Sequence, residues 1–469
     1  CAKLRLPDPE RELLYYLGMY KLAGLSWPGG PAATLQGPWV EEYDMPPWSS
    51  DYHFNINLQE CYWPAYGGNQ LRSLQPLVEM LKSWEPLLRR NARSFVGVQD
   101  GLMLPHAVDD RGTCMGGFWT GSVDHGSTSW TGQLLWLYYR YSMDESFLRE
   151  TAYPFMKGAM RVYEAMLEDD GTAYSLPVSV SPEFGGSDKN AWGKNASFQL
   201  ANIHFLCEKL SEASELLGVD ADERRRWQDI HARLPLASVQ DGQIQLWEGQ
   251  PLSESHRHHS HLAGIYPFDV FDQANDEQRG LIGNAMNRLT DMGMGRWTGW
   301  CMPWASILWG RVGNGEMADL ILGLYRRAFM NHGYASTHDA QFRGFTIMAG
   351  RPLIMQIEAT LAASAAVMEM LAHTARGVLY LFRGAPERWK EASFEGLRVE
   401  GAFLVSARRE GGVTTRVEVL SEAGQDLVLS NPFGAEVRVR RSGGKIETVA
   451  GEVLKIATAR GETLILKPA

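Results

Sequence analysis

One feature constrains this chain more than any other: the apolar periodicity changes near residue 375. Up to about His373 the sequence runs through long segments with apolar residues at i, i+3, i+4 and i+7. Examples are PERELLYYLGMYKLAGL, LRSLQPLVEMLKSWEPLLRR, SWTGQLLWLYYRYSM, NASFQLANIHFLCEKLSEASELLG and IEATLAASAAVMEMLAHT. That spacing predicts amphipathic helices, roughly ten to twelve of them, joined by polar loops rich in Gly, Trp and His. Some, such as TGWCMPWASILWGRVG, are apolar on more than one side, as suits helices buried between layers of a closed double ring. After Gly377 the texture becomes GVLYLFRG, GLRVEGAFLVSARREGG, VTTRVEVLSEAG and ETLILKP, alternating apolar and polar residues between Gly turns. Period-two alternation of this kind predicts a small antiparallel β-sandwich. The expected organisation is a mainly α domain over 1–374 and a β-sandwich domain over 375–469.

Composition narrows the partners. A net charge of −10 without a Lys/Arg block argues against nucleic acid and anionic membrane surfaces. No apolar run is long enough for a membrane-spanning segment. The 16 Trp and 17 Tyr supply flat amphipathic faces of the sort that stack on sugars, although many such residues belong to cores. Five dispersed cysteines form no CxxC pair, so neither a zinc ribbon nor a disulfide framework is indicated. No phosphate-binding glycine loop, Ser/Cys triad or metal quartet stands out, and no cofactor or metal is expected. GRVGNGEMA is read as a turn between helices. The start at Cys1 without Met fits a mature lipoprotein, a processed chain or, preferably, an excised fragment. Localisation is left open between secreted, periplasmic, lipid-anchored and cytoplasmic.

Four constellations carry chemistry. In DYHFNINLQECYWP, His53, Asn55 and Asn57 alternate with Phe54, Ile56 and Leu58. If extended, the polar trio leaves on one face and the apolar trio anchors the other. A buried turn whose amides satisfy backbone groups is the competing reading. In PVSVSPEFGG, Glu183 sits beside Pro182, Phe184 and two glycines, which would desolvate the carboxyl, raise its pKa and favour proton donation. ESHRHHSHLAGIYPFDVF holds His256, Arg257, His258, His259 and His261; Arg257 opposes a metal there, and recognition of hydroxyls is favoured over a solvated loop. In RPLIMQIEATLAAS, Glu358 opens an apolar helix, where the helix N-terminus would stabilise its ionised form. Trp119, flanked by glycines and near His125, is the stacking candidate. Of Trp300, Trp304 and Trp309 most belong to the core, with Trp300 kept among the substrate-binding residues.

Taken in order, PAATLQGPW, MPPWSSDYHFNINLQECYWPA, LLWLYYRYSMDESFL, SPEF, HRHHSHLAGIYP, TGWCMPWASILWGRVGNGEMA and MQIEATLA resemble glycoside hydrolase family 95, the inverting α-L-fucosidases and α-L-galactosidases. The resemblance covers most of residues 10–375. It implies an (α/α)6 barrel followed by a β domain, and it makes the family's usual N-terminal β-sandwich absent here. It also implies that Glu183 is the general acid and that Asn55 and Asn57 hold the water. His53, Arg257 and His258 would grip sugar hydroxyls. The family's usual QIDGNFG reads QIEATLA, so Glu358 replaces the Asp that polarises the amides, and the His that usually precedes that segment is absent.

The expected function is removal of a terminal α-linked L-fucose-like or L-galactose-like sugar from an oligosaccharide or polysaccharide, with inversion. Glu183 would protonate the leaving oxygen, and Glu358 would accept the water's proton directly or through the amides. Two alternatives stay open: another carbohydrate-active toroid, a polysaccharide lyase or phosphorylase, or a glycan-binding protein without turnover.

Overall fold

The computed structural model describes residues 2–40, 42–351 and 353–469, so Cys1 lies outside it. Helices alternate along the chain between an outer and an inner ring. The outer helices are α1 (Pro9–Leu25), α3 (Gln75–Val96), α5 (Tyr153–Met166), α7 (Ala221–Arg233), α8 (Asp276–Met292) and α10 (Gly315–Ala328). The inner ones are α2 (Asn57–Gly67), α4 (Gly126–Ser142), α6 (Ser197–Leu217), α9 (Cys301–Arg311) and α11 (Glu358–Leu371). Between α7 and α8 the inner position holds no regular helix: a single 3₁₀ turn, Ser260–Leu262, and tight turns up to Phe268 fill it. The result is a six-pair toroid with one irregular inner member.

Burial explains the two rings. Outer helix α3 buries only one stripe, including Leu77, Leu81, Trp84 and Leu88, and leaves its other faces to solvent. Inner helix α11 is buried on nearly every side, which is why its sequence is alanine-rich and apolar all round. Local signals set the ends. Asp8 caps α1 by accepting from the Glu10 N–H at 2.9 Å, with Pro9 in the first turn. Asn314 caps α10 by accepting from the Met317 N–H at 3.0 Å, so GRVGNGEMA is indeed a helix-connecting turn. A buried Arg11 Nε donates to Asp319 Oδ1 at 2.7 Å and fastens α1 to α10. Among the described residues no helix is long and apolar enough to cross a membrane.

The second unit is a two-sheet β domain. One sheet is antiparallel with seven strands, in the order Lys3–Arg5, Ala392–Val399, Phe403–Glu410, Val413–Ser421, Glu462–Pro468, Val437–Arg441 and Ile446–Val449. The other has four, Val453–Ile456, Leu427–Ser430, Val378–Leu381 and Ala372–Ala375, and includes one parallel pairing. The strand Ala372–Ala375 follows α11 directly and straddles residue 374, while Lys3–Arg5 joins the C-terminal sheet from the other end of the chain. Both crossings tie the β domain to the toroid.

Candidate active site

The inner helices start at one mouth of the ring, and the candidate residues collect there. Asn57 is the first residue of α2 and Glu358 the first of α11. Trp300 precedes α9. Glu183 lies in the loop between α5 and α6 with φ 60°, and Arg257 and His258 come from the irregular inner segment. Asn57, Glu183, Arg257 and Trp300 border a cavity of about 280 Å³ together with His53, and Glu358 and His258 lie buried behind its wall.

The stretch from Asp51 is not one strand. Only Tyr52–His53 is extended, paired with Ala107–Val108, and the chain then turns into α2 at Asn57. Phe54, Ile56 and Leu58 are buried nonetheless, and the turn sends the two amides to different carboxylates. Asn55 Nδ2 donates to Glu183 Oε1 at 3.0 Å; Asn57 Nδ2 donates to Glu358 Oε1 at 2.7 Å. Glu358 therefore engages Asn57 rather than both amides. His53 Nδ1 pairs with Asp51 Oδ1 at 2.7 Å, leaving its Nε2 edge for the cavity. His258 Nε2 lies 3.2 Å from Glu183 Oε2, and its ring meets Trp300 edge-on at 4.8 Å. Arg257 donates to the same Glu183 oxygen.

These contacts reverse the proton balance expected from the local sequence. Burial alone would raise the Glu183 carboxyl, but His258, Arg257 and His53 outweigh it and hold its pKa well below the carboxylate range. Glu358 is fully buried, and one of its oxygens has no partner. Burial pushes its pKa up to about 7 despite the Asn57 hydrogen bond and the start of α11. The helix N-terminus is the weaker influence because it offers a partial charge, whereas desolvation acts on the whole carboxylate. For His53, burial disfavours the imidazolium, but Asp51, Glu183 and Glu358 outweigh that and raise its pKa.

Other candidates fall outside the cavity. Trp119 does not border it: the side chain is half-exposed and donates its indole N–H to the Asp188 carbonyl at 3.0 Å. His125 is buried against Tyr163 and bonded to the Ala159 carbonyl. His256 stacks on Phe184 at 3.8 Å, and His259 bonds the Cys301 carbonyl, so both shape the loop. Trp304 is core, as expected. Conversely, the cavity recruits Trp48, Asp51, His106, His338 and Gln356, which sequence reasoning did not single out. Asp51 opens the quoted stretch, two residues before His53, and that proximity was a usable signal. His106 has no local signal, because strand pairing alone brings it to His53, ring centroids 5.2 Å apart. His53, His106 and Glu183 offer ligand-type atoms within 4.8 Å of one another. The Arg257 guanidinium on the same carboxylate opposes a metal cation there.

Paired carboxylates, each tied to an amide beneath a His- and Trp-lined cavity, suit work on glycosides. The model of the "Glycosyl hydrolase family 95 catalytic domain" matches residues 6–371, and that of the "Glycoside hydrolase family 95, C-terminal domain" matches 374–466. The chain belongs to glycoside hydrolase family 95. It is 28% identical over 432 residues to "Alpha-L-fucosidase 2" of Arabidopsis thaliana, covering 86% of this chain and 48% of that protein. It is 27% identical over 453 residues to "Probable alpha-fucosidase A" of Aspergillus niger, covering 90% and 55%. The chain thus spans about half the length of the curated relatives it matches. Among solved structures, "Putative kojibiose phosphorylase from human microbiome" aligns with TM-score 0.60 at 10% identity, over 98% of this chain and 67% of that one. A Streptomyces avermitilis α-L-rhamnosidase complexed with L-rhamnose aligns with TM-score 0.52 at 12% identity, over 99% and 42%. These likenesses show the toroid-plus-β architecture of this family 95 chain.

Proposed function

We propose that this family 95 chain hydrolyses a terminal α-linked L-fucose-like or L-galactose-like residue with inversion. The observation that carries this is the pair of amide–carboxylate contacts, Asn55 with Glu183 and Asn57 with Glu358. Protonated Glu183 gives its proton to the glycosidic oxygen as the C1–O bond breaks. Water adds to C1 from the opposite face. Asn57 borders the cavity whereas Glu358 is sealed behind it, which favours passage of the water's proton through the amide. The Asn57 carbonyl oxygen takes that proton while its Nδ2–H moves to Glu358 Oε1. Glu358 then returns a proton to Nδ2, the Asn57 oxygen releases its own to solvent, and Glu183 is reprotonated from solvent, which resets the site. His53, Arg257, His258 and Trp300 border or back the cavity and are assigned to sugar binding. The fucosidase names of the plant and fungal relatives support the choice of sugar.

The test follows the anomer released from α-1,2-linked L-fucosyl and L-galactosyl oligosaccharides by NMR. Initial β-anomer, lost in Glu183→Gln, is the expected result; α-anomer, or unchanged turnover in the variant, refutes the assignment. One observation favours a second reading. Glu183 is held ionised by Arg257 in the open cavity, which suits a glycan binder without turnover. Such a protein would bind fucosyl glycans and release no sugar in any variant.

A further inference from the structure

The inner helices end on a second cavity, of about 330 Å³, at the face of the toroid away from Asn57 and Glu358. Its wall is formed by the ends of α2, α4, α9 and α11 together with Arg398 and Glu400 of the β domain. The wall is charged, and its basic side chains are paired with carboxylates. Arg311 Nε bonds Glu369 Oε2 at 2.7 Å and Arg140 Nε bonds Glu400 Oε2 at 3.0 Å. Lys209 faces Glu212, and Arg376 and Arg398 pair with Glu208 and Glu422 just outside the wall, so a charged ligand would meet no unpaired opposite charge here. Hydroxyls, by contrast, would meet donors and acceptors in alternation, because each of these pairs keeps a further nitrogen or oxygen free to bond.

Two further groups point to a ligand. The Tyr141 and Tyr266 side chains border the cavity, each more than nine-tenths buried, and neither hydroxyl bonds a described residue. Aromatic rings supply flat walls. Tyr266 meets Trp63 edge-on at 4.9 Å and carries the Arg311 guanidinium 5.1 Å from its ring centre, and Trp136 lies under Lys209. Buried aromatic planes beside convergent hydroxyl, guanidinium and carboxylate groups match the C–H faces and hydroxyl edges of a sugar. A smaller void of about 80 Å³ shares Arg140, Thr374, Gly377 and Glu400 and prolongs the cavity along the domain junction.

We propose that this cavity is a second carbohydrate site, taking a neutral saccharide at the junction of toroid and β domain. It would hold a glycan on the protein independently of the hydrolytic mouth, and it stands whether or not that mouth turns substrate over. Calorimetric titration of the full chain with L-fucose and with lactose tests it. The variants are Tyr141→Phe/Tyr266→Phe, which removes only the two hydroxyls, and Asn57→Ala at the other mouth. The expected result is binding of at least one sugar that weakens tenfold or more in the double Phe variant and is unchanged in Asn57→Ala. Binding of both sugars that the double variant leaves intact overturns the proposal, as does the absence of any component surviving Asn57→Ala. If the double variant fails to fold, Glu400→Gln at the partly exposed rim takes its place with the same expected loss. Absence of hydrolysis by the wild-type chain, with this component present, would count against the catalytic assignment and not against the second site.

Discussion

Replacing Glu358 with Gln separates the chemistry of this residue from its burial. In the folded chain its carboxyl has a pKa of about 7 because burial in the toroid penalises the anion. A folded pKa above the unfolded one means that the native state binds the proton more tightly. The resulting stability is fully present below the unfolded carboxylate range and is lost as pH rises to about 7. Two to three pH units at about 1.4 kcal/mol each make the ionised residue cost roughly 3 kcal/mol above neutrality. Gln keeps the length and can still accept the Asn57 hydrogen bond, but carries no charge to desolvate. Urea unfolding of wild type and Glu358→Gln, followed by tryptophan fluorescence at pH 5 and pH 8, measures the difference. The variant should gain about 2–3 kcal/mol on wild type between the two pH values while losing turnover. Equal pH dependence of the two proteins would refute the burial argument. Retained turnover would refute the catalytic one.

Other expectations are simpler to check. Glu183→Gln should cut turnover by about 10²–10⁴ while L-fucose still binds calorimetrically. The kcat/KM profile should be flat below neutrality and fall about tenfold per pH unit above about 7. Over the flat region one proton resides on the Glu183–Glu358 pair, mostly on Glu358, and the reactive form carries it on Glu183. No alkaline limb up to pH 9 would contradict this. Asn57→Ala leaves Glu358 Oε1 without its donor and removes the relay, so turnover should drop while Asn55 and Glu183 keep their contact. Away from the site, Asp319→Ala takes the shared carboxylate from buried Arg11 and from Arg388, leaves Arg11 the backbone carbonyl of residue 319 and its longer contacts with Asp8 and Glu10, and should destabilise by about 1.5–3 kcal/mol in urea.

Much of the fold is legible in the residues alone, since periodicity is a local property. Spacing of 3.6 up to about His373 and of 2 after Gly377 follows from which side chains must leave water together, and both regimes form as read. Even the two rings are foreshadowed: α3 is striped, α11 is apolar all round, and each sits in the ring its pattern requires. The chemistry-bearing residue types were visible too, because amides, imidazoles and single carboxylates stand out against apolar surroundings.

Only the tertiary structure decided how those residues meet. Asn55 and Asn57 part at a turn that no alternation reveals, one reaching a carboxylate 128 positions away and the other one 301 away. His106 enters beside His53 through strand pairing, and Trp119 stays outside the cavity. The largest revision concerns charge. Neighbouring residues suggested a desolvated Glu183 and an ionised Glu358, whereas the fold sets Arg257 and His258 on the first and seals the second. Proton affinity depends on every charge and every dielectric boundary within several ångströms, and those are brought together by chain folding, not by sequence proximity.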